Sequence, residues 1–98
     1  MIIKEILHQL ETDQNPVAKA IHKGEHFKVL AIGFKKGMHL KAHKTNLAAK
    51  LTVLSGTVIY KQGDLIKTLL QFDETDIPIG IIHEVECTEA ALCLLNQG

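Results

Sequence analysis

Pro78-Ile79-Gly80-Ile81-Ile82-His83 is the stretch on which the reading of this chain turns. A proline and a glycine two positions apart make a tight turn, and the apolar run behind them is a strand that delivers a histidine inward. Upstream, Gly37, His43 and Gly56 are spaced so that His43 falls on a facing strand. Two histidines that converge from facing strands need an enclosed interior, and a small β-barrel supplies one.

The surrounding sequence agrees with that expectation. Ile2, Ile3, Ile6, Leu7 and Leu10 recur at helical spacing, which predicts an amphipathic helix over residues 1–12, ended by the breaker run Thr12-Asp13-Gln14-Asn15-Pro16. So short a helix is marginal alone and must dock on something. After Pro16 the period shifts to two. Strands are expected over 17–23, 26–34, 38–43, 47–55, 57–61, 64–71, 75–77, 82–87 and 90–95, with turns at Gly24-Glu25, Lys36-Gly37, Ser55-Gly56, Gln62-Gly63-Asp64 and Pro78-Ile79-Gly80. The segment 26–34 is apolar on both parities: Phe27, Val29 and Ala31 on one face, Leu30, Ile32 and Phe34 on the other. It therefore needs cover on both faces, from the barrel core on one side and from the helix or a second copy of the chain on the other. That is the basis for expecting a homodimer.

Composition narrows the function classes. The 98 residues make one domain, with a core but little surplus stability, and 46% of them are apolar, as in a globular chain. Eleven Lys balance eleven acids, with no Arg and no Trp, so a nucleic-acid binder, which relies on Arg and a basic excess, is not expected. Residues 1–50 carry nine Lys against four acids and residues 51–98 two Lys against seven, a polarity that interleaving of the two halves would dissolve. No apolar run is long enough to cross a bilayer. The acid at Glu5 and the lack of a small-residue cleavage site argue against a signal peptide. Cys87 and Cys93 have neither metal nor redox spacing, so a cytoplasmic, reduced protein with two small buried thiols is expected.

With these residues in place, the segment from Gly37 to Cys87 resembles the cupin superfamily, whose barrels carry two sequence motifs. The first runs Gly, five residues, His-x-His, three or four residues, Glu, six residues, Gly; Gly37, His43 and Gly56 match it. The second contains Pro-x-Gly-x-x-His, matched by Pro78, Gly80 and His83, while its opening Gly falls on Phe72 and its closing Asn on Cys87. The resemblance implies an all-β double-stranded β-helix, a jelly-roll barrel, over residues 17–96, with the N-terminal helix outside it.

It also implies a metal site of two His and a Glu from the first motif and the His of the second. Here the second His position is Thr45 and the Glu position is Ala49, which leaves His43 and His83 as the only two metal ligands of the set. Transition-metal sites generally use three protein ligands or more. His39 is no easy replacement: at about 3.3 Å per strand residue it lies roughly 13 Å along the strand from His43. Cys87 stands in the same relation to His83, Lys50 is expected on the other face of its strand, and His22, His26 and His39 are read as surface or rim residues. A divalent transition metal is the one cofactor the resemblance brings into view, and the depleted ligand set weighs against it.

The expectation is thus a module that binds a small polar ligand in the barrel. His43, Thr45 and His83 would be its polar contacts, and Leu51, Val53 and Val85 its apolar walls. Two alternatives stand beside it. One is an oxygenase or isomerase working through His43 and His83, with a metal or with a histidine as general base. The other is a structural or oligomerisation unit whose interior is vestigial.

Overall fold

A computed structural model describes residues 1–98. One helix, α1 (Ile2–Leu10), precedes seven strands: β1 (Val17–Lys23), β2 (Lys28–Phe34), β3 (His39–His43), β4 (Ala49–Gln62), β5 (Leu65–Leu69), β6 (Glu74–Ile77) and β7 (His83–Gln97). All strand pairs are antiparallel, in the order β1-β2-β7-β4-β5, with β3 on β7 and β6 on β4. This is the all-β jelly-roll barrel with a short N-terminal helix that the motif spacing implied.

Two expected breaks between strands are bends inside continuous strands. The sequence divides 47–61 at Gly56 and 82–95 at Thr88-Glu89, yet β4 and β7 each run through. The two bends lie opposite each other, so the ladder survives the corner: Thr57 pairs with Glu89, the Thr57 hydroxyl donates to Glu89 Oε1 at 3.1 Å, and the Thr88 hydroxyl donates to the Thr57 carbonyl at 3.3 Å. Gly56 makes the turn with φ of 82° and pushes three register shifts into the β4–β7 ladder. Each long strand thereby serves both halves of the barrel. The first half of β7 pairs with β3 and the end of β4, and its second half pairs with β2 and the start of β4.

Alternation along these strands builds the core. Leu51, Val53, Val58 and Tyr60 of β4 and Val85, Cys87 and Cys93 of β7 all point inward and are almost completely buried. Helix α1 supplies the outer cover that β2 requires. Ile6 and Leu10 are buried on the strand's outer face, where a Cβ on Gly33 would lie 2.6 Å from Ile6 Cγ2 and 2.7 Å from Leu10 Cδ1. Of the helical stripe, Leu7 stays exposed while Ile2 and Ile3 are half-buried against the core. The helix is thus one of the two covers anticipated for the two-faced strand. No helix is long and apolar enough to cross a membrane.

One lysine of the first half, Lys50, meets acids of the second half, while Lys61 and its acids all belong to the second. Lys50 lies between Glu74 and Asp76, and Lys61 between Glu84 and Glu86, so acids of the second half flank lysines along the neighbouring strands.

Candidate functional site

His43 and His83 meet as the sequence suggests, but through a distortion it does not display. In the β3–β7 ladder His39 lies opposite Glu86, Leu40 opposite Val85, and His43 opposite His83. Two residues, Lys41 and Ala42, therefore face one on β7. Such a bulge reverses the parity of everything beyond it. His39 falls on the outer face, with Nε2 3.5 Å from Glu84 Oε2, whereas His43 comes round to the face that carries His83. His39 is thus separated from His43 by side as well as by distance.

The two imidazoles stand with ring centroids 4.4 Å apart at an angle of 55°. Behind His83, the Tyr60 ring stacks at 5.9 Å, and the Tyr60 hydroxyl donates to Gln62 Oε1 at 2.7 Å. His83 is only 3% exposed; His43 is exposed at the rim. Each Nδ1 lies against the carbonyl two residues earlier: His43 at 2.7 Å from Lys41 O, His83 at 3.1 Å from Ile81 O. A carbonyl oxygen can only accept, so each Nδ1 carries the proton and each Nε2 presents its lone pair. No buried side-chain nitrogen or oxygen lacks a partner, and Nε2 of His83 makes no hydrogen bond, so that atom keeps some contact with solvent.

Burial lowers the His83 pKa below its ordinary value; the nearby His43 pushes the same way, and the Ile81 carbonyl opposes both. The fold thus holds His83 neutral, as an acceptor. Burial raises the Tyr60 hydroxyl and the Cys87 thiol, and pushes the Cys93 thiol up to about 12. None of these three is an available nucleophile near neutral pH.

Of the other expected site residues, Thr45 has its hydroxyl engaged within its own loop, donating to Leu47 O at 2.8 Å. Ala49 offers only a methyl group to the core. No group of three or more His, Cys, Asp or Glu side chains comes within reach of one ion. Two imidazoles, a committed hydroxyl and a methyl do not fit the metal site the motifs imply. The barrel is also filled. Leu51, Val53 and Val85, expected as pocket walls, are at most 2% exposed and belong to the buried core cluster. The open space lies at the rim instead.

That rim space was not anticipated. A cavity of about 630 Å³ is lined by Lys28, the loop from Lys44 to Leu47, Ile79-Gly80 and Gln97. The loop and the Pro78–Ile82 turn are joined across it, the Gly80 N–H donating to Thr45 O at 2.8 Å. Lys44 follows His43 directly, and Gly80 precedes His83 by three residues, so the elements that frame the histidine pair also frame the cavity.

Several solved structures share this architecture. An RmlC-like cupin from Desulfovibrio desulfuricans is 26% identical, with a TM-score of 0.80 over 88% of this chain and 84% of that one. A cupin superfamily protein from Desulfitobacterium hafniense is 14% identical, with a TM-score of 0.81 over 87% and 78%. An RmlC-like cupin from Shewanella frigidimarina is 16% identical, with a TM-score of 0.81 over 88% and 78%. No family model and no curated protein matches the sequence.

Proposed function

Because this chain belongs to the cupin superfamily, with the fold of those structures, we propose that it binds a small polar ligand at the mouth of its barrel, held by Nε2 of His43 and of His83. The observation that carries the proposal is the matched pair of lone pairs: two imidazoles 4.4 Å apart, each locked by its own backbone carbonyl in the accepting tautomer. Two acceptors at one opening suit a ligand that offers donors, hydroxyl groups above all. Thr45 contributes through its loop rather than through its hydroxyl, which is already engaged. A metal-dependent oxygenase or isomerase would need a third metal ligand beside the pair, and neither Thr45 nor Ala49 supplies one.

The test pairs ligand-induced thermal shifts with one exposed-site variant. His43 is at the rim, so His43→Ala is expected to fold like the parent while losing the stabilisation that a polyol panel gives the wild type. Equal shifts in both proteins would reject the proposal. Titration of metal-free protein with Ni²⁺, Zn²⁺ and Fe²⁺ separates the enzymatic alternative: two imidazoles are expected to bind weaker than about micromolar, roughly −8 kcal/mol. Tighter binding that disappears in His43→Ala would favour the metalloenzyme.

The homodimer belongs to the proposal in narrower form. With α1 on β2, the outer face still offers a second copy the half-buried strip of Leu54, Leu92 and Leu94 beside the exposed Leu7. Sedimentation as a monomer at all concentrations would remove it.

A further inference from the structure

We infer that the rim cavity framed by the loop after His43 and the turn before His83 is an anion site, and that the ligand is a small organic anion whose carboxylate or phosphate head sits between Lys28 and Lys44. The inference rests on the ligand-binding reading above and names the ligand's charge. The cavity of about 630 Å³ is within the range of small-molecule sites, and its lining includes two lysines and no acid. Neither lysine has an acid within ion-pair distance, although Lys50 and Lys61 each lie within 4.0 Å of two. Asn46 and Gln97 add amide donors to the lining, while Leu47 and Ile79, 41% and 60% exposed, give an apolar margin for the uncharged part of the ligand.

The lining is also held in position. Gly80 N–H to Thr45 O joins the two loops, the Thr45 hydroxyl closes the 45–47 turn on Leu47 O, and Gly98 N–H to Ala48 O ties the loop to the end of β7. Lys28 is fixed opposite Gln97 in the β2–β7 ladder. A preformed cationic rim loses little freedom on binding. A hydroxylated acid offers both an oxyanion for the lysines and hydroxyl donors of the kind that the Nε2 atoms accept.

The closing experiment follows backbone amide shifts by NMR in the full chain as gluconate, inorganic phosphate or glucose is added. Gluconate is expected to move the amides of 44–47, 79–80 and 97 and to bind at least threefold tighter than neutral glucose, with the advantage shrinking as salt is raised. Phosphate moving the same amides as strongly as gluconate would assign recognition to the oxyanion alone; phosphate moving none would assign it to the carboxylate. Lys28→Gln with Lys44→Gln, both at exposed positions, should reduce gluconate to the glucose level. Binding that survives the double lysine variant but is lost in His43→Ala overturns the anion inference and leaves the histidine proposal standing. Binding lost in the lysine variant and unchanged in His43→Ala does the reverse. Glucose and gluconate binding alike, or neither moving these amides, overturns the anion site.

Discussion

Phe72 occupies the position where the second motif expects its opening glycine, and its φ of 71° lies in the left-handed region. Its side chain is 74% exposed, so little burial offsets the strain of a bulky residue there. Relief of a left-handed conformation is worth about 1–2 kcal/mol, and the greater freedom of glycine in the unfolded chain returns roughly half of that. Phe72→Gly should therefore raise stability by up to about 1 kcal/mol in urea denaturation, whereas Phe72→Ala, which keeps a Cβ, should not. Equal midpoints for the two variants would reject strain as the cause. The departure from the motif is legible in the sequence; the strain it leaves is a backbone angle and is not. His83 gives a second test at the same scale. Its folded pKa is lowered, chiefly by burial, so its contribution is complete above the unfolded value near 6.5. As the pH falls below that value the unfolded chain takes up a proton before the folded one does, and stability declines until the folded pKa is passed. The urea midpoint should thus drop between pH 7.5 and 5.5 in the wild type and drop less in His83→Gln. The same fall in both would assign the pH dependence to other groups.

At the scale of elements, the two glycines that bracket the first motif have different work. Gly37 has φ of 86° with nothing near the place of a Cβ, and Gly56 has φ of 82° with the β7 backbone against it, where a Cβ would collide with the Ala90 carbonyl oxygen and lie 2.6 Å from Ala91 Cα. Gly37→Ala should cost only the left-handed penalty, about 1–2 kcal/mol. Gly56→Ala should cost that and more, because the neighbour that must yield is main chain at the corner where β4 and β7 turn together. Equal losses in denaturation midpoint would mean that the corner is softer than its geometry suggests. Sequence spacing marks both glycines as turns, and it splits β4 and β7 because a glycine that breaks a strand and one that bends it read alike. The β3 bulge is hidden for a related reason. Counting by twos puts His39 and His43 on one face, and only the pairing partner reveals the extra residue.

Across the whole molecule, barrel class was legible because two motifs, turns at short intervals and alternating apolar residues agree; the solid interior was not. Whether inward side chains fill a barrel or leave a pocket depends on how their volumes interlock in three dimensions, and here Tyr60, Leu51, Val53 and Val85 all belong to one buried core cluster. The helix reads as an appendage in sequence, yet Ile6 and Leu10 belong to the same buried cluster as Cys87 and Cys93. That continuity has a measurable consequence. The two thiols are at most 1% exposed and their pKa values are raised, so a thiol reagent can reach them only when the barrel opens. Ile6→Ala removes a fully buried side chain on the far side of the sheet from the cysteines and should destabilise the fold by roughly 2–4 kcal/mol. If helix and barrel unfold as one unit, the loss reappears as labelling of Cys87 and Cys93 at least about thirtyfold faster than in the wild type, since each 1.4 kcal/mol multiplies the open population tenfold. If the helix merely rests on a barrel that folds without it, labelling keeps its wild-type rate while the helical signal in circular dichroism melts early. The shared core between Ile6 and the sheet predicts the first result.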